Sequence, residues 1–136
     1  MSNRILSYKG LLADGGQDTI LLSTKKGEIG YRIKKFQIFP SEPGQVAYES
    51  VIQLWKESQS SISTSAVVVD FSDNRLLGVC CVSYDQDAAT PAIGQSVIFD
   101  NEKFNQNIYV THEDVHAGNR PCNYYIELEQ MKLDLS

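Results

Sequence analysis

The chain has 136 residues, of which 42% are hydrophobic, and its 17 acidic and 12 basic side chains give a formal net charge of −5. This length fits one domain with a sizeable core. The acidic balance argues against nucleic-acid binding through bulk electrostatics, which requires clustered lysine and arginine. No apolar run is long enough to span a membrane. The N-terminus lacks the pattern of a signal peptide, so we expect a protein made in the cytoplasm.

Two short apolar runs open the chain, at residues 5–13 and 19–24. An Asp-Gly-Gly sequence separates them at residues 14–16, and adjacent glycines favour a turn because they tolerate positive φ. The pattern predicts either a hairpin or an extended N-terminal arm, over residues 1–18, that precedes the first regular strand.

A long strand is predicted over residues 29–39, where apolar residues fall first on odd and then on even positions. The change occurs at Lys34 and Lys35. Since successive side chains of a strand point to opposite faces, a β-bulge is the simplest explanation. The two lysines belong to the basic cluster of the sequence, which we interpret as a solvated strand face and not as an anion site.

Residues 46–57 carry apolar side chains at helical spacing, namely Ala47, Tyr48, Val51, Leu54 and Trp55. A strand is a poorer match, because its apolar residues would fall on both faces. We therefore predict one amphipathic helix packed on a sheet. Trp55 would then anchor either the core or an interface.

The most continuous apolar runs cover residues 66–71 and 76–84. Such runs are typical of strands buried on both faces, so we expect both to lie centrally in a sheet. Asp70 lies near the end of the first run, and Asp73 lies in the link of residues 72–75 that separates the two runs. Their side chains would suit calcium, but the loop pattern of a calcium site is missing, and a hairpin turn is the better interpretation.

Residues 96–100 predict a further strand, and residues 107–136 predict a long closing β-hairpin, because two alternating apolar runs flank a polar loop. After Gln130 the apolar parity changes, which indicates contact with another layer or subunit. The sequence thus predicts a single mainly β domain over residues 1–136. We expect an antiparallel β-sandwich or jelly-roll-like barrel of about eight strands, with one helix at about residues 46–57.

One motif in the last segment has catalytic spacing: His112-Glu113-x-x-His116 matches the zinc protease motif. That site requires a helix, on which residues four apart share one face. Here the preceding residues alternate as a strand, and Gly118 and Pro121 follow closely. We interpret the motif as a strand end and turn, predict no metal or other cofactor, and keep a zinc-dependent hydrolase or an adventitious metal as remote alternatives.

The cysteines Cys80, Cys81 and Cys122 are odd in number and form no CxxC pair. We expect free thiols rather than a disulfide framework, and a bridge from Cys122 to one of the other two remains an alternative. Neighbours on a strand point to opposite faces, so Cys80 and Cys81 cannot serve one site. Glu127 and Glu129 share a strand face at a spacing that glycosidases use, but we expect them to face water opposite an apolar face.

Several stretches of the sequence resemble a known class of proteins. They are Gly15-Gly16-Gln17-Asp18-Thr19, GYRIKKFQIFPSEPG (30–44), VDFSDNRLLG (69–78), VIFDNEKFNQNIYVTHED (97–114) and NYYIELEQMKLDL (123–135). Together they resemble small virion structural proteins of marine tailed bacteriophages, over most of the chain except its first dozen residues. The shared residues belong to strands and turns, so the resemblance implies a β-rich, capsid-associated protein without enzymatic activity, such as a head decoration or cement protein.

The resemblance also implies partners: the major capsid protein and further copies of the chain, with a trimer favoured, and a location in the virion. It implies no binding to nucleic acid or membrane. The candidate interface residues are Leu11, Leu12, Trp55, Leu133 and Leu135, although each of these types is more often a core residue. The alternative function is a tail or collar component, or a receptor- or glycan-binding β module.

Overall fold

The computed structural model describes residues 4–22, 28–43, 46–62, 68–84, 93–115 and 119–132. Its strands are β1 (Arg4–Leu12), β2 (Gln17–Ile20), β3 (Ile29–Pro40), β4 (Tyr48–Trp55), β5 (Leu76–Tyr84), β6 (Ile93–Ile98), β7 (Ile108–Asp114) and β8 (Cys122–Lys132). They form an antiparallel three-stranded sheet, β1-β8-β3, and an antiparallel five-stranded sheet, β2-β7-β4-β5-β6. The expected mainly β class with eight strands is confirmed, as a sandwich and not as a closed barrel.

One apolar core fills the space between the two sheets. Its fully buried members come from strands of both sheets and include Ile33, Ile52, Leu54, Ile108, Val110, Ile126 and Leu128. β8 shows the alternation most clearly, since every second residue from Cys122 to Leu128 is buried. Burying each large aliphatic side chain contributes about 1.5–3 kcal/mol. Within the described ranges, no helix has the length and apolar character that crossing a membrane demands.

The link between β7 and β8 carries the chain from one sheet to the other, so the predicted closing hairpin is wrong. β7 pairs with β2 and β4, whereas β8 pairs with β1 and β3. At the end of β7, the carboxylate of Asp114 accepts hydrogen bonds from the backbone N–H groups of Glu49 (3.1 Å) and Arg120 (2.9 Å). A polar loop between two alternating apolar runs has the same sequence pattern whether it closes a hairpin within one sheet or carries the chain to the other sheet.

The link between β1 and β2 also crosses between the sheets. Gly15 has a φ of 74°, and its N–H donates to the carbonyl of His112 on β7 (2.9 Å). The expected turn at residues 14–16 is therefore present, but the strands that flank it do not pair as a hairpin. The segment considered as an N-terminal arm contains a regular strand. Its residues 4–12 form β1, which pairs with β8 over the whole length of β1.

The helix predicted over residues 46–57 is wrong, because the segment forms β4. Ile52 and Leu54 belong to the core cluster, while Gln53 and Trp55 on the opposite face are buried too. The segment that follows β4 covers that second face: the Gln53 amide donates to the Val68 carbonyl at 3.1 Å. Since both faces of β4 are buried, its apolar residues fall on both parities and imitate a helical stripe.

The strand predicted at residues 66–71 is wrong for its described part, residues 68–71, which contains no strand. Val68 and Phe71 are exposed. Residues 66 and 67 lie outside the described residues. The residues that follow do form a turn, in which Asp70 accepts a hydrogen bond from the Ser72 N–H at 3.0 Å. It is not the predicted hairpin turn, because no strand in residues 68–71 precedes it. β5 is confirmed as an interior strand between β4 and β6.

The predicted β-bulge in β3 is confirmed. The register of β3 against β8 shifts between Ile33 and Lys35. Ile33 and Phe36 are both buried although their positions differ in parity, while Lys34 and Lys35 are exposed. The bulge thus keeps the apolar side chains of both halves of β3 turned to the core.

Candidate functional site

The zinc protease motif does not lie on a helix at its first two residues. His112 and Glu113 are on β7, and the His112 side chain is completely buried. His116 lies outside the described residues. No group of three or more His, Cys, Asp or Glu side chains suited to a metal occurs among the residues that the structure describes.

The His112 ring instead connects three segments of the fold. Its Nδ1 lies 3.0 Å from the carbonyl oxygen of Leu12 and 3.2 Å from that of Ala13. Carbonyl oxygens only accept, so Nδ1 carries the proton, and Nε2 accepts from the Ser50 hydroxyl at 3.0 Å. Burial lowers the pKa of His112, although the two carbonyls and Asp14 oppose this shift. A neutral ring with both nitrogens occupied serves structure and offers no lone pair to a metal.

The carboxylates around this ring hold backbone groups. Asp14 accepts from the Asp114 N–H at 2.8 Å, and Asp114 holds Glu49 and Arg120 as described above. Burial, followed by the charge of Asp14, raises the pKa of Glu113. Asp14 and Asp114 thus brace two of the links between the sheets, β1–β2 and β7–β8.

The cysteines are free, as expected: Cys80 and Cys122 are buried, while Cys81 is exposed. Burial raises the pKa of Cys80 to about 12 and that of Cys122 to about 11. The Cys80 thiol donates to the Phe36 carbonyl at 3.3 Å. The two buried thiols are therefore poor nucleophiles at neutral pH.

Glu127 and Glu129 are engaged with neighbours on the outer face of the three-stranded sheet. Glu129 lies 2.6 Å from the Arg32 guanidinium, in a partly buried ion pair. Glu127 accepts from the Tyr125 hydroxyl at 2.7 Å, and this bond is the main reason that the pKa of Tyr125 is raised. The arrangement gives neither carboxyl group the free approach that an acid and base pair needs.

The interface candidates differ in their exposure to solvent. Leu11 is exposed on β1, whereas Leu12 and Trp55 are buried. The Trp55 indole donates to the Thr111 hydroxyl at 2.9 Å, which ties β4 to β7. Leu133 and Leu135 lie outside the described residues.

A groove of about 810 Å³ opens on the described surface, and β1, β3, β5, β6 and β8 all contribute to it. The strand registers place two rows across the three-stranded sheet, Lys9–Tyr125–Gln37 and Leu11–Asn123–Phe39. β5 and β6 supply the other wall, with Cys81, Val82, Gln95 and Ser96. This volume is in the range of small-molecule sites.

The chemistry of the groove is amphipathic. Phe39 is 62% exposed and Leu11 57% exposed, and they flank Asn123, whose amide donates to the Phe39 carbonyl at 3.2 Å. The polar side chains that line it carry amide groups, the hydroxyl groups of Ser96, Tyr124 and Tyr125, and the ammonium group of Lys9. Such a surface suits a partner that offers both apolar area and hydrogen-bonding groups.

Sequence reasoning named Leu11 but missed Phe39, Gln37 and Tyr125. The sequence pattern did indicate two of them in part: after the bulge, the odd positions of β3, which include Gln37 and Phe39, face away from the core. The opposite wall comes from the other sheet, and no local pattern places it there. A scan against models of known protein families and a search of the curated proteins both found no match.

Proposed function

We propose that the protein is a structural component of a phage particle, a capsid decoration or cement protein, which docks through the outer face of its three-stranded sheet. The observation that carries this proposal is the exposed row Leu11–Asn123–Phe39, with apolar side chains at both ends. Exposed apolar residues that share one regular face mark interaction surfaces more often than scattered ones do. The phage context comes from the sequence resemblance.

The rigidity of this face supports a binding role. Leu11 and Phe39 lie on strands that pair with β8 from both sides, over nearly the whole length of β8. Side chains fixed on paired strands lose little conformational freedom when a partner docks, so less of the interaction energy is spent on ordering. The partners that fit the proposal are the major capsid protein and further copies of this chain.

Quantitative mass spectrometry of purified particles tests this location. We expect the protein at a copy number comparable to that of the major capsid protein. A few copies per particle would place it in the tail or collar, and complete absence from particles would contradict a virion role.

A receptor- or glycan-binding module is the second candidate, and the amide side chains of the groove favour it. Gln37, Gln95 and Asn123 line the groove together with Phe39 and Tyr125. Amides both donate and accept hydrogen bonds, as sugar hydroxyls require, and aromatic faces offer apolar platforms. Titration of isotope-labelled protein with oligosaccharides tests it: saturable shifts confined to the groove would support this function over capsid docking.

The zinc-hydrolase alternative receives no support from the described contacts of His112, whose two ring nitrogens bind protein groups. Metal analysis of the purified protein decides it. One zinc per chain, lost on His116→Ala substitution, would establish a metal site.

A further inference from the structure

β1 leaves one side of its backbone without a partner strand. It is the outer strand of the three-stranded sheet, and β8 occupies its other side. Among the described residues, no strand pairs with this free edge. Natural edge strands are usually short, bulged, charged or interrupted by proline, because an open edge is a template for another strand. β1 has nine residues without proline, and its outer face exposes Ile5 and Leu11.

We propose that two copies of the chain pair through β1, antiparallel and about a two-fold axis at Tyr8, to form a continuous six-stranded sheet. The proposal rests on the edge of β1 alone and does not depend on the phage role. It gives a dimer in place of the trimer that the sequence resemblance favours.

The two-fold symmetry and the pleat limit the possible registers. Residues directly opposite each other in an antiparallel pair have side chains on the same face of the sheet. In a two-fold pair, the axis therefore lies midway between the two copies of one residue, which names the register. With the axis at Tyr8, Ile5 of each copy meets Leu11 of the other. These side chains are 51% and 57% exposed in the single chain, and the pairing covers both of them.

The neighbouring registers are worse. An axis at Ser7 sets Ile5 against Lys9 and leaves Leu11 beyond the paired segment. An axis at Lys9 sets the two Lys9 ammonium groups directly opposite each other, and like charges in that position are destabilising. Of these three registers, only the axis at Tyr8 sets the exposed side chains of Ile5 and Leu11 against each other.

Charge also fits the register centred on Tyr8. Lys9 then faces Ser7 of the second copy, and Ser7 pairs with Glu127 on β8 of its own sheet. Strands are spaced about 4.8 Å apart, so Glu127 lies two strands from Lys9, within reach of a long side chain passing over the small serine. The Leu12 carbonyl already accepts from His112, which limits the pairing to Ile5–Leu11.

Native mass spectrometry and light scattering over a concentration series test the pairing. We expect a dimer for the wild type. Ile5→Lys sets a cation against Leu11 twice in each dimer, and it should weaken dimerisation by about tenfold or more. Adding Leu11→Glu to Ile5→Lys creates two opposite-charge pairs in this register alone, so the double variant should regain the dimer.

Leu21→Lys provides the matched control, since Leu21 is 75% exposed and lies outside β1. Circular dichroism should show the same fold for all variants, because each changed side chain is exposed. A wild-type protein that is monomeric or trimeric at every concentration overturns the proposal. An Ile5→Lys protein that dimerises like the wild type, or a double variant that is not rescued, overturns it equally.

Discussion

The hydroxyl of Tyr124 lies 2.8 Å from a carboxylate oxygen of Asp18, and this hydrogen bond joins β8 of one sheet to β2 of the other. Burial, followed by this bond, raises the pKa of Tyr124, so the phenol keeps its proton. Gly10 is the residue opposite Tyr124 on β1. A Cβ at Gly10 would lie 2.8 Å from the Tyr124 hydroxyl oxygen and 2.9 Å from two ring carbons. The glycine therefore provides the space in which the ring reaches Asp18.

Gly10→Ala should destabilise the protein by about 1–3 kcal/mol, because the ring must move and the bond to Asp18 is strained or lost. Urea unfolding measures the change. Gly94→Ala is the matched control on β6, where the nearest atom to a new Cβ is 3.6 Å away, and it should be neutral or slightly stabilising. Equal effects of the two substitutions would contradict the packing described for Tyr124.

The neutral state of His112 makes stability depend on pH. Its pKa is lowered in the folded protein by burial, whereas the unfolded chain takes up the proton near pH 6.5. The neutral His112 ring therefore contributes its full share to the free energy of unfolding above about pH 6.5. This share is lost as the pH falls toward the lowered pKa of His112 in the folded protein, by at most about 1.4 kcal/mol per pH unit.

Unfolding free energies at pH 7.5 and 5.5 measure this loss of stability. His112→Gln should be less stable at both values but should flatten the dependence between them. An NMR titration should show the proton of the neutral ring on Nδ1. A wild-type stability that is unchanged or higher at pH 5.5 would argue against a buried neutral ring.

The three thiols should differ in reactivity. Cys81 is exposed, whereas Cys80 and Cys122 are buried with raised pKa values. Since the thiolate is the nucleophile, a disulfide reagent should titrate one thiol rapidly in the native protein and three in denaturant. Cys81→Ser should remove the rapid phase. Three thiols that react at one rate would show that the core around Cys80 is open.

Removal of residues 1–12 should prevent stable folding. β1 pairs with β8 over its whole length, and Leu12 is buried in the core cluster. Its deletion would expose the edge of β8 and free the Nδ1 of His112 from the Leu12 carbonyl. Thermal unfolding followed by circular dichroism measures the effect, and a truncated protein with a wild-type transition would show that β1 is dispensable.

The sequence predicted the elements whose burial is one-sided. β8 alternates cleanly between buried and partly exposed residues, and the bulge beside Lys34 was readable as a change of parity. β4 was misread as a helix because a later segment of the chain covers its outer face, and Gln53 is buried there as completely as Ile52. The packing of this later segment on β4 is a tertiary contact, and the periodicity of the β4 sequence gives no information about it.

The connections and the groove were less predictable for a related reason. The turn at Gly15 looks the same locally whether the next strand pairs with β1 or crosses to the facing sheet. The groove joins Phe39 of one sheet to Val82 and Gln95 of the other. Their proximity depends on how the sheets overlap, which only the assembled fold defines.

We propose that the outer face of the three-stranded sheet docks the protein on a phage capsid. Co-sedimentation of purified protein with particles that lack it measures this docking, using Phe39→Ser and, as a control at an exposed apolar residue outside the groove, Leu21→Ser. We predict that Phe39→Ser weakens binding by about tenfold or more while Leu21→Ser binds like the wild type. Wild-type binding by the Phe39→Ser protein would contradict docking through this face.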